Sequence, residues 1–150
     1  MRRDPAMDSL LWKWSKGQAT SQADFADPRA TATYDFCLFA GTSAALVDEV
    51  VIAPGAQHWT QAGTGFTYRD PSGTAGGIRK IRLGGSATDR AKIILTGKGA
   101  ALPMAPLPLA GPITAQLENG DTSVCWSASY VGGQIVRDDQ GGLKAKFKNP

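Results

Sequence analysis

Histidine and cysteine are scarce in this 150-residue chain, which limits the catalytic and metal chemistry open to it. The one histidine is His58, and the two cysteines are Cys37 and Cys125. Serine and cysteine nucleophiles need a general base, and structural zinc sites need closely spaced Cys or His pairs. Neither close pairs nor a Gly-x-Ser-x-Gly motif occurs here. We predict no catalytic residues, metal or cofactor, and keep a hydrolase or lyase using His58 or paired Asp as the enzymatic alternative.

Glutamate is also rare, since Glu49 and Glu118 are the only glutamates among 13 acidic residues. Aspartate favours turns and caps, whereas glutamate suits helix interiors. Short runs that alternate apolar and polar residues are separated by Gly, Pro, Asp or Asn. The pattern is typical of all-β proteins, and it predicts one domain over residues 1–150. We expect a jelly-roll or immunoglobulin-like β-sandwich of about nine strands.

Three segments carry the clearest strand signals. In residues 33–39 the side chains of Tyr34, Phe36 and Leu38 fall on one face. Residues 78–83 and 91–96 flank a Gly-rich loop and predict a hairpin. Residues 113–117 and 124–130 flank a turn with Asn119-Gly120 at its centre and predict a second hairpin.

The remaining runs are weaker. Residues 44–52 fit helical and strand spacing equally, and their Val and Ile content favours a strand. Residues 10–14, 65–68 and 143–147 are short, so we predict edge strands. The Pro-rich residues 101–112 predict a stiff connection across one end of the sandwich, with a PxxP-like ligand as the alternative.

Long apolar runs are missing. The stretch at residues 100–117 is uncharged but interrupted by four prolines, so it predicts no membrane span. Arg2 and Arg3 are not followed by the apolar segment of a secretory signal. We therefore expect either an intracellular protein or a segment of a longer exported chain.

The cysteines leave two interpretations open. Cys37 and Cys125 lie in two predicted strands, each on the face opposite the large aromatic residues. If these strands are neighbours, the thiols form a disulfide, which indicates a location outside the cytosol. Two buried free thiols are the alternative.

The tryptophans suggest a binding surface. Trp126 falls in an inward-facing row, whereas Trp12, Trp14 and Trp59 are candidates for a carbohydrate platform. Core packing is the competing interpretation, because a Trp side chain must hide a large area.

The charge is mildly basic, with 16 Lys and Arg against 13 Asp and Glu. The densest cluster lies at 79–98, and in the predicted hairpin Lys80, Arg82 and Lys92 share the outer face. Such a face attracts anionic polysaccharide or lipid headgroups, but without interleaved aromatics we predict no nucleic-acid binding. A solvated strand face is the simpler interpretation.

Several segments between Leu11 and Tyr130 together carry a family resemblance. They are Trp12-Lys13-Trp14-Ser15-Lys16-Gly17, Asp24-Phe25-Ala26-Asp27-Pro28, Tyr34-Asp35-Phe36-Cys37, Gly65-Phe66-Thr67-Tyr68-Arg69-Asp70, Lys98-Gly99 with the Leu-Pro run, and Cys125-Trp126. The set resembles an uncharacterised β-rich domain of unknown function predicted in exported or surface proteins of environmental bacteria. The resemblance implies export and attaches no activity. That family often has a further cysteine pair before a Trp, where this chain has Ala56-Gln57-His58-Trp59, which leaves Cys37 with Cys125.

These features lead to one expected function and one alternative. We expect a non-catalytic, extracellular or cell-surface β-sandwich module with a structural or adhesive role that self-associates into a homo-oligomer or polymer. Residues 1–16 are the candidate extension or exchanged strand, because the apolar run at 10–14 is suited to join a neighbour's sheet edge. The alternative is a carbohydrate-binding module that uses exposed Trp residues and takes polysaccharide as its partner.

Overall fold

The computed structural model describes residues 9–17, 19–41, 43, 45–88, 90–99, 112–130, 135–137 and 143–148. These residues form eleven strands and one short 3-10 helix, Gln22–Phe25. The strands are β1 (Ser9–Gly17), β2 (Tyr34–Ala40), β3 (Ala45–Ile52), β4 (Trp59–Ala62), β5 (Gly65–Arg69), β6 (Ile78–Gly84), β7 (Ala91–Lys98), β8 (Ile113–Asn119), β9 (Cys125–Tyr130), β10 (Ile135–Arg137) and β11 (Leu143–Lys148). Among the described residues no helix is long or apolar enough to cross a membrane.

The strands form two sheets. Seven strands follow the order β10-β11-β1-β7-β6-β5-β4, and four follow the order β3-β2-β8-β9. Neighbours are antiparallel except for β1 and β11, which run parallel. The predicted β-rich fold is confirmed, as are the pairing of β6 with β7 and that of β8 with β9. β4 and β10 are strands that the sequence pattern did not predict.

An aromatic core joins the two sheets. The rings of Trp12 on β1 and Phe36 on β2 have centroids 5.5 Å apart, and those of Tyr34 on β2 and Trp59 on β4 are 5.4 Å apart. Because these pairs bridge the sheets, the inner faces lie against each other and the outer faces point in opposite directions. The burial pattern alternates along β7 and β8, as expected for strands with one face in the core.

The three predicted edge strands are interior strands. β1 lies between β11 and β7, β5 lies between β4 and β6, and β11 lies between β10 and β1. The sheet edges are instead β10 and β4 in one sheet and β3 and β9 in the other. The three runs were predicted as edge strands because they are short. Whether a strand has two neighbours is decided by distant parts of the chain and not by its length.

The N-terminal run belongs to the sheet of its own chain. Residues 9–16 of the predicted extension lie in β1, and both edges of β1 are hydrogen-bonded, to β7 and to β11. In this arrangement β1 offers no edge to a neighbouring copy, which corrects the predicted route to self-association. Residues 1–8 and the Pro-rich residues 100–111 lie outside the described residues.

A buried polar network ties the 3-10 helix to both β2 and β8. The side chain of Asn119 donates hydrogen bonds to Phe25 O (2.6 Å) and to Tyr34 Oη (3.0 Å). Its Oδ1 atom accepts hydrogen bonds from the backbone N–H groups of Asp121 (2.8 Å) and Thr122 (3.1 Å). Asn119 therefore does more than shape the predicted turn, because it also fixes the loop that closes one end of the core.

Candidate anion-binding face

Charge is segregated between the two sheets. The described strands of the seven-stranded sheet contain Lys and Arg but no Asp or Glu. The described strands of the four-stranded sheet contain Asp and Glu but no Lys or Arg. Since the outer faces point away from each other, one side of the molecule is basic and the other acidic.

The outer side of the seven-stranded sheet, which we call the basic face, carries exposed Lys13, Arg69, Lys80, Arg82 and Lys92. Lys80, Arg82 and Lys92 are predicted from the sequence to share one face, and all three are exposed on this face. The register sets Arg69 directly opposite Lys80 across β5 and β6. None of these five cations pairs with a carboxylate among the described residues, so their charge is available to a partner.

Cations converge on a cleft at one end of the basic face. The cleft has a volume of about 220 Å³ and is lined by Arg82, Arg90 and Lys92 together with Ala62, Gly63, Thr64, Leu83, Gly84 and Gly85. Arg82 is on β6, Lys92 is on β7, and Arg90 ends the loop between them. Among the described lining residues no carboxylate neutralises these three charges.

Close backbone contacts, which only glycine allows, build the floor of this cleft. A Cβ atom at Gly85 would lie 2.7 Å from Thr20 O and 2.9 Å from Thr64 O. Thr64 Oγ1 donates a hydrogen bond to Gly85 O at 2.8 Å, which holds the β4–β5 turn beside the β6–β7 loop. The cations therefore project from a backbone fixed by hydrogen bonds on both sides.

The chemistry of the cleft favours an anionic group. A guanidinium presents a planar fork of donors that matches the oxygens of a carboxylate, sulfate or phosphate, and a lysine ammonium adds a point charge. The volume suits one such group with part of the sugar ring or chain that carries it. This arrangement of cations therefore favours the binding of an anionic group.

The three predicted ligand-binding tryptophans lie in the core. Trp12 and Trp59 are 0% exposed and Trp14 is 5% exposed. Trp59 packs between the rings of Tyr34 and Tyr68, at centroid distances of 5.4 and 5.1 Å. A carbohydrate platform needs an open ring face, so the platform assignment of these residues is wrong and core packing describes them.

The cysteines do not form a disulfide. Cys37 is buried on β2, Cys125 is exposed on β9, and both are free. β8 lies between β2 and β9, which separates the two backbones by about 9.5 Å, beyond the roughly 7 Å that a disulfide spans. Both cysteines were predicted on the face opposite the aromatic residues, but a disulfide also requires that their strands are neighbours. The disulfide therefore gives no support for export.

Cys37 is surrounded by acidic groups. Its Sγ lies 3.6 Å from Asp35 Oδ1 and 3.7 Å from Glu49 Oε2, and the three ligand-type atoms lie within 4.8 Å of one another. Burial and the neighbouring carboxylates raise the pKa of the Cys37 thiol to about 12. Burial and Glu49 raise the pKa of Asp35 to about 6. The Cys37 thiol is therefore protonated beside these two carboxylates at neutral pH.

His58 belongs to a loop-closing network. Its Nδ1 lies 3.1 Å from Arg69 O and therefore donates, because a carbonyl oxygen only accepts. Its Nε2 lies 3.9 Å from Asp70 Oδ2. Asp70 also accepts hydrogen bonds from the backbone and hydroxyl groups of Thr74 and from Ser72 N, and these contacts, Thr74 first, hold its pKa below the usual range. The carboxylate is thus occupied in closing the β5–β6 loop.

Two cations of the basic face, Arg69 and Arg90, were not predicted from the sequence. Arg69 follows a run predicted to be an edge strand, and only the register with β6 brings it beside Lys80. Arg90 belongs to the basic segment, but its position in the cleft depends on the fold of the loop. The paired Asp48-Glu49 of the enzymatic alternative lies on β3, and Asp138-Asp139 lies outside the described residues.

No protein-family model, curated protein or solved structure matches this chain.

Proposed function

We propose that this chain is a non-catalytic adhesive module that binds an acidic polysaccharide through the basic face, with the cleft formed by Arg82, Arg90 and Lys92 holding individual anionic groups. The observation that carries the proposal is the convergence of these three cations in a cleft of about 220 Å³ with no neutralising carboxylate among its described lining residues. A polymer that bears carboxylates or sulfates satisfies several such cations at once.

The shape of the basic face supports a polymeric ligand. Arg82 and Lys92 project from adjacent strands, while Lys13, Arg69 and Lys80 extend the positive surface across β1, β5 and β6. A linear polyanion lying across the strands contacts the cleft and these cations together. The basic face carries no aromatic side chain among the described residues, and stacking on bases needs one, so an acidic glycan is favoured over a nucleic acid.

The expected location and the type of β-sandwich are part of the same proposal. An adhesive module of this kind acts outside the cell or at its surface, and a jelly-roll or immunoglobulin-like arrangement is the sandwich type we propose for its two sheets. The proposed partner is a polysaccharide, as the sequence predicts. It is recognised by ionic contacts and not by stacking on Trp12, Trp14 and Trp59.

Binding measurements on defined polymers test the proposal. We expect the full chain to bind dextran sulfate and polygalacturonate, and not neutral dextran, by isothermal titration calorimetry. Binding must weaken as salt rises, because the Debye length falls from about 30 Å at 0.01 M to about 10 Å at 0.1 M. Equal binding of neutral and anionic dextran would contradict the proposal, and stronger binding of single-stranded DNA would reassign the partner to nucleic acid.

A pair of charge-matched variants locates the site. The double variant Arg82→Gln/Lys92→Gln should bind dextran sulfate at least about tenfold more weakly, because each charged hydrogen bond contributes about 1.5–3 kcal/mol. The control Lys13→Gln/Lys98→Gln removes the same charge from exposed positions outside the cleft, and we expect a smaller loss. Equal losses in the two variants would show that only net charge matters and would refute the cleft.

A further inference from the structure

The outer side of the four-stranded sheet, which we call the acidic face, carries carboxylates, and the described strands of this sheet contain no Lys or Arg that would compensate them. Asp35 on β2 and Glu118 on β8 are direct partners in the register, and Glu49 on β3 lies close enough to Asp35 to raise its pKa. Like charges directly opposite each other on neighbouring strands are destabilising. The fold therefore tolerates a repulsion that a positively charged surface would relieve.

The basic face repeats this arrangement with the opposite sign. Arg69 on β5 and Lys80 on β6 are direct register partners, and both side chains are exposed. Each outer face thus contains at least one directly opposed pair of like charges, and Lys13 and Lys148 are also register partners in the seven-stranded sheet. The pair spacing is set by the distance between neighbouring strands, which is about 4.8 Å in any sheet. The opposed pairs of the two faces are therefore complementary in sign.

Apolar side chains accompany the charges on both faces. Val51, the register partner of Asp35, is 56% exposed, and Leu46 on the same strand is 53% exposed. On the basic face the half-buried Ile94 is the register partner of Arg82. A protein that covers these faces buries these apolar side chains together with the charges.

We propose that the acidic face of one copy binds the basic face of a second copy. The occupant is a second copy because this chain itself supplies the complementary surface, with charges of opposite sign and an apolar contribution on each side. The proposal is carried by the charges of the two faces and not by polysaccharide binding, although a polyanion that crosses the basic face contacts Arg69 and Lys80 as well.

The geometry also determines the kind of assembly. The two faces point in opposite directions, so a copy that uses one face still presents the other. Such a contact is heterologous, and repeated without closing it produces open chains of subunits rather than a two-fold dimer. We therefore expect assemblies that grow with protein concentration, in place of the strand exchange that β1 does not permit.

Charge reversal with complementation tests this contact. The variants are Arg69→Glu/Lys80→Glu, which reverses the opposed pair of cations on the basic face, and Glu49→Lys/Glu118→Lys, which reverses two carboxylates of the acidic face. We expect wild type to associate at about 0.01 M salt and to dissociate near 1 M, where the Debye length is about 3 Å. Each variant alone should raise the association midpoint concentration by at least about tenfold, whereas an equimolar mixture should restore association.

Sedimentation velocity with reductant provides the readout, since exposed Cys125 could otherwise link copies covalently. Asp121→Lys, in the exposed β8–β9 loop outside both faces, controls for a change of charge alone and should associate like wild type or more strongly. Circular dichroism establishes that each variant is folded. A monomeric wild type at low salt, or folded variants whose mixture fails to associate, would overturn the proposal. Dextran sulfate binding by Arg82→Gln/Lys92→Gln, which keeps Arg69 and Lys80, reports separately on the cleft.

Discussion

Replacing Asn119 is expected to be among the most damaging polar substitutions in the described residues. Its side chain is buried and makes two hydrogen bonds inside the core, to Phe25 O and Tyr34 Oη, and two to the backbone of the following turn. A typical hydrogen bond contributes about 0.5–1.5 kcal/mol to stability. Water replaces part of the turn contacts, because Asp121 and Thr122 are exposed. We expect Asn119→Ala to lower the free energy of unfolding by about 2–4 kcal/mol.

A second substitution at the same position separates donation from size. Asn119→Asp keeps an acceptor for the turn but places a carboxylate oxygen against Phe25 O, which sits 2.6 Å from the amide nitrogen in the native chain. Two acceptors at this distance repel, so the new carboxyl must keep its proton and its folded-state pKa must rise. A raised acid pKa gives stability that is present below the unfolded value and lost as pH rises. Asn119→Asp should therefore be less stable at pH 8 than at pH 4, relative to wild type.

Urea unfolding followed by tryptophan fluorescence measures both effects, because Trp12, Trp59 and Trp126 are buried in the native state. Tyr34→Phe completes a double-mutant cycle with Asn119→Ala, and we expect a coupling energy of at least about 0.5 kcal/mol. A loss below about 0.5 kcal/mol for Asn119→Ala, or a pH-independent effect of Asn119→Asp, would refute this account of the network.

Three further predictions concern the acidic face, the thiols and one glycine. Since the pKa of Asp35 is raised to about 6 by burial and Glu49, its contribution favours folding below about pH 4 and is lost as pH rises through 6. Asp35→Asn should thus raise the urea midpoint at pH 8 and not at pH 3, and the opposite order would contradict it. Exposed Cys125 should react with iodoacetamide before buried Cys37 in native protein, as read by mass spectrometry; modification of Cys37 first would be the contrary result. Gly65→Ala should destabilise by more than about 3 kcal/mol in thermal and urea unfolding, because its Cβ would overlap a carbonyl oxygen of β6, and a near-native midpoint would disprove this.

Local alternation explains why much of the sheet structure was predictable. Tyr34, Phe36 and Leu38 recur with period two and are all buried, and the runs that became β6 and β7 show the same period. The pattern reports only whether a residue faces the core. The parallel pairing of β1 with β11 joins segments far apart in the chain, so no local signal specifies it.

The candidate site was predictable only in part for the same reason. Lys80, Arg82 and Lys92 belong to one hairpin, and the hairpin alone indicates their shared face. Arg69 joins them through pairing between different hairpin segments, and the position of Arg90 depends on a loop. Trp59 lies in a four-residue strand with exposed neighbours, so its burial against Tyr34 and Tyr68 follows only from the packing of two sheets.

Mapping a bound ligand onto the backbone tests the central claim, that the basic cleft is the binding site, most directly. Backbone amide shifts of isotope-labelled protein would be followed by NMR while a short sulfated oligosaccharide is added. We predict that the largest shifts fall at Gly63, Thr64, Gly85, Arg90 and Lys92, which line the cleft. Largest shifts on β3 and β9 of the four-stranded sheet, or small shifts spread evenly over the chain, would contradict the account.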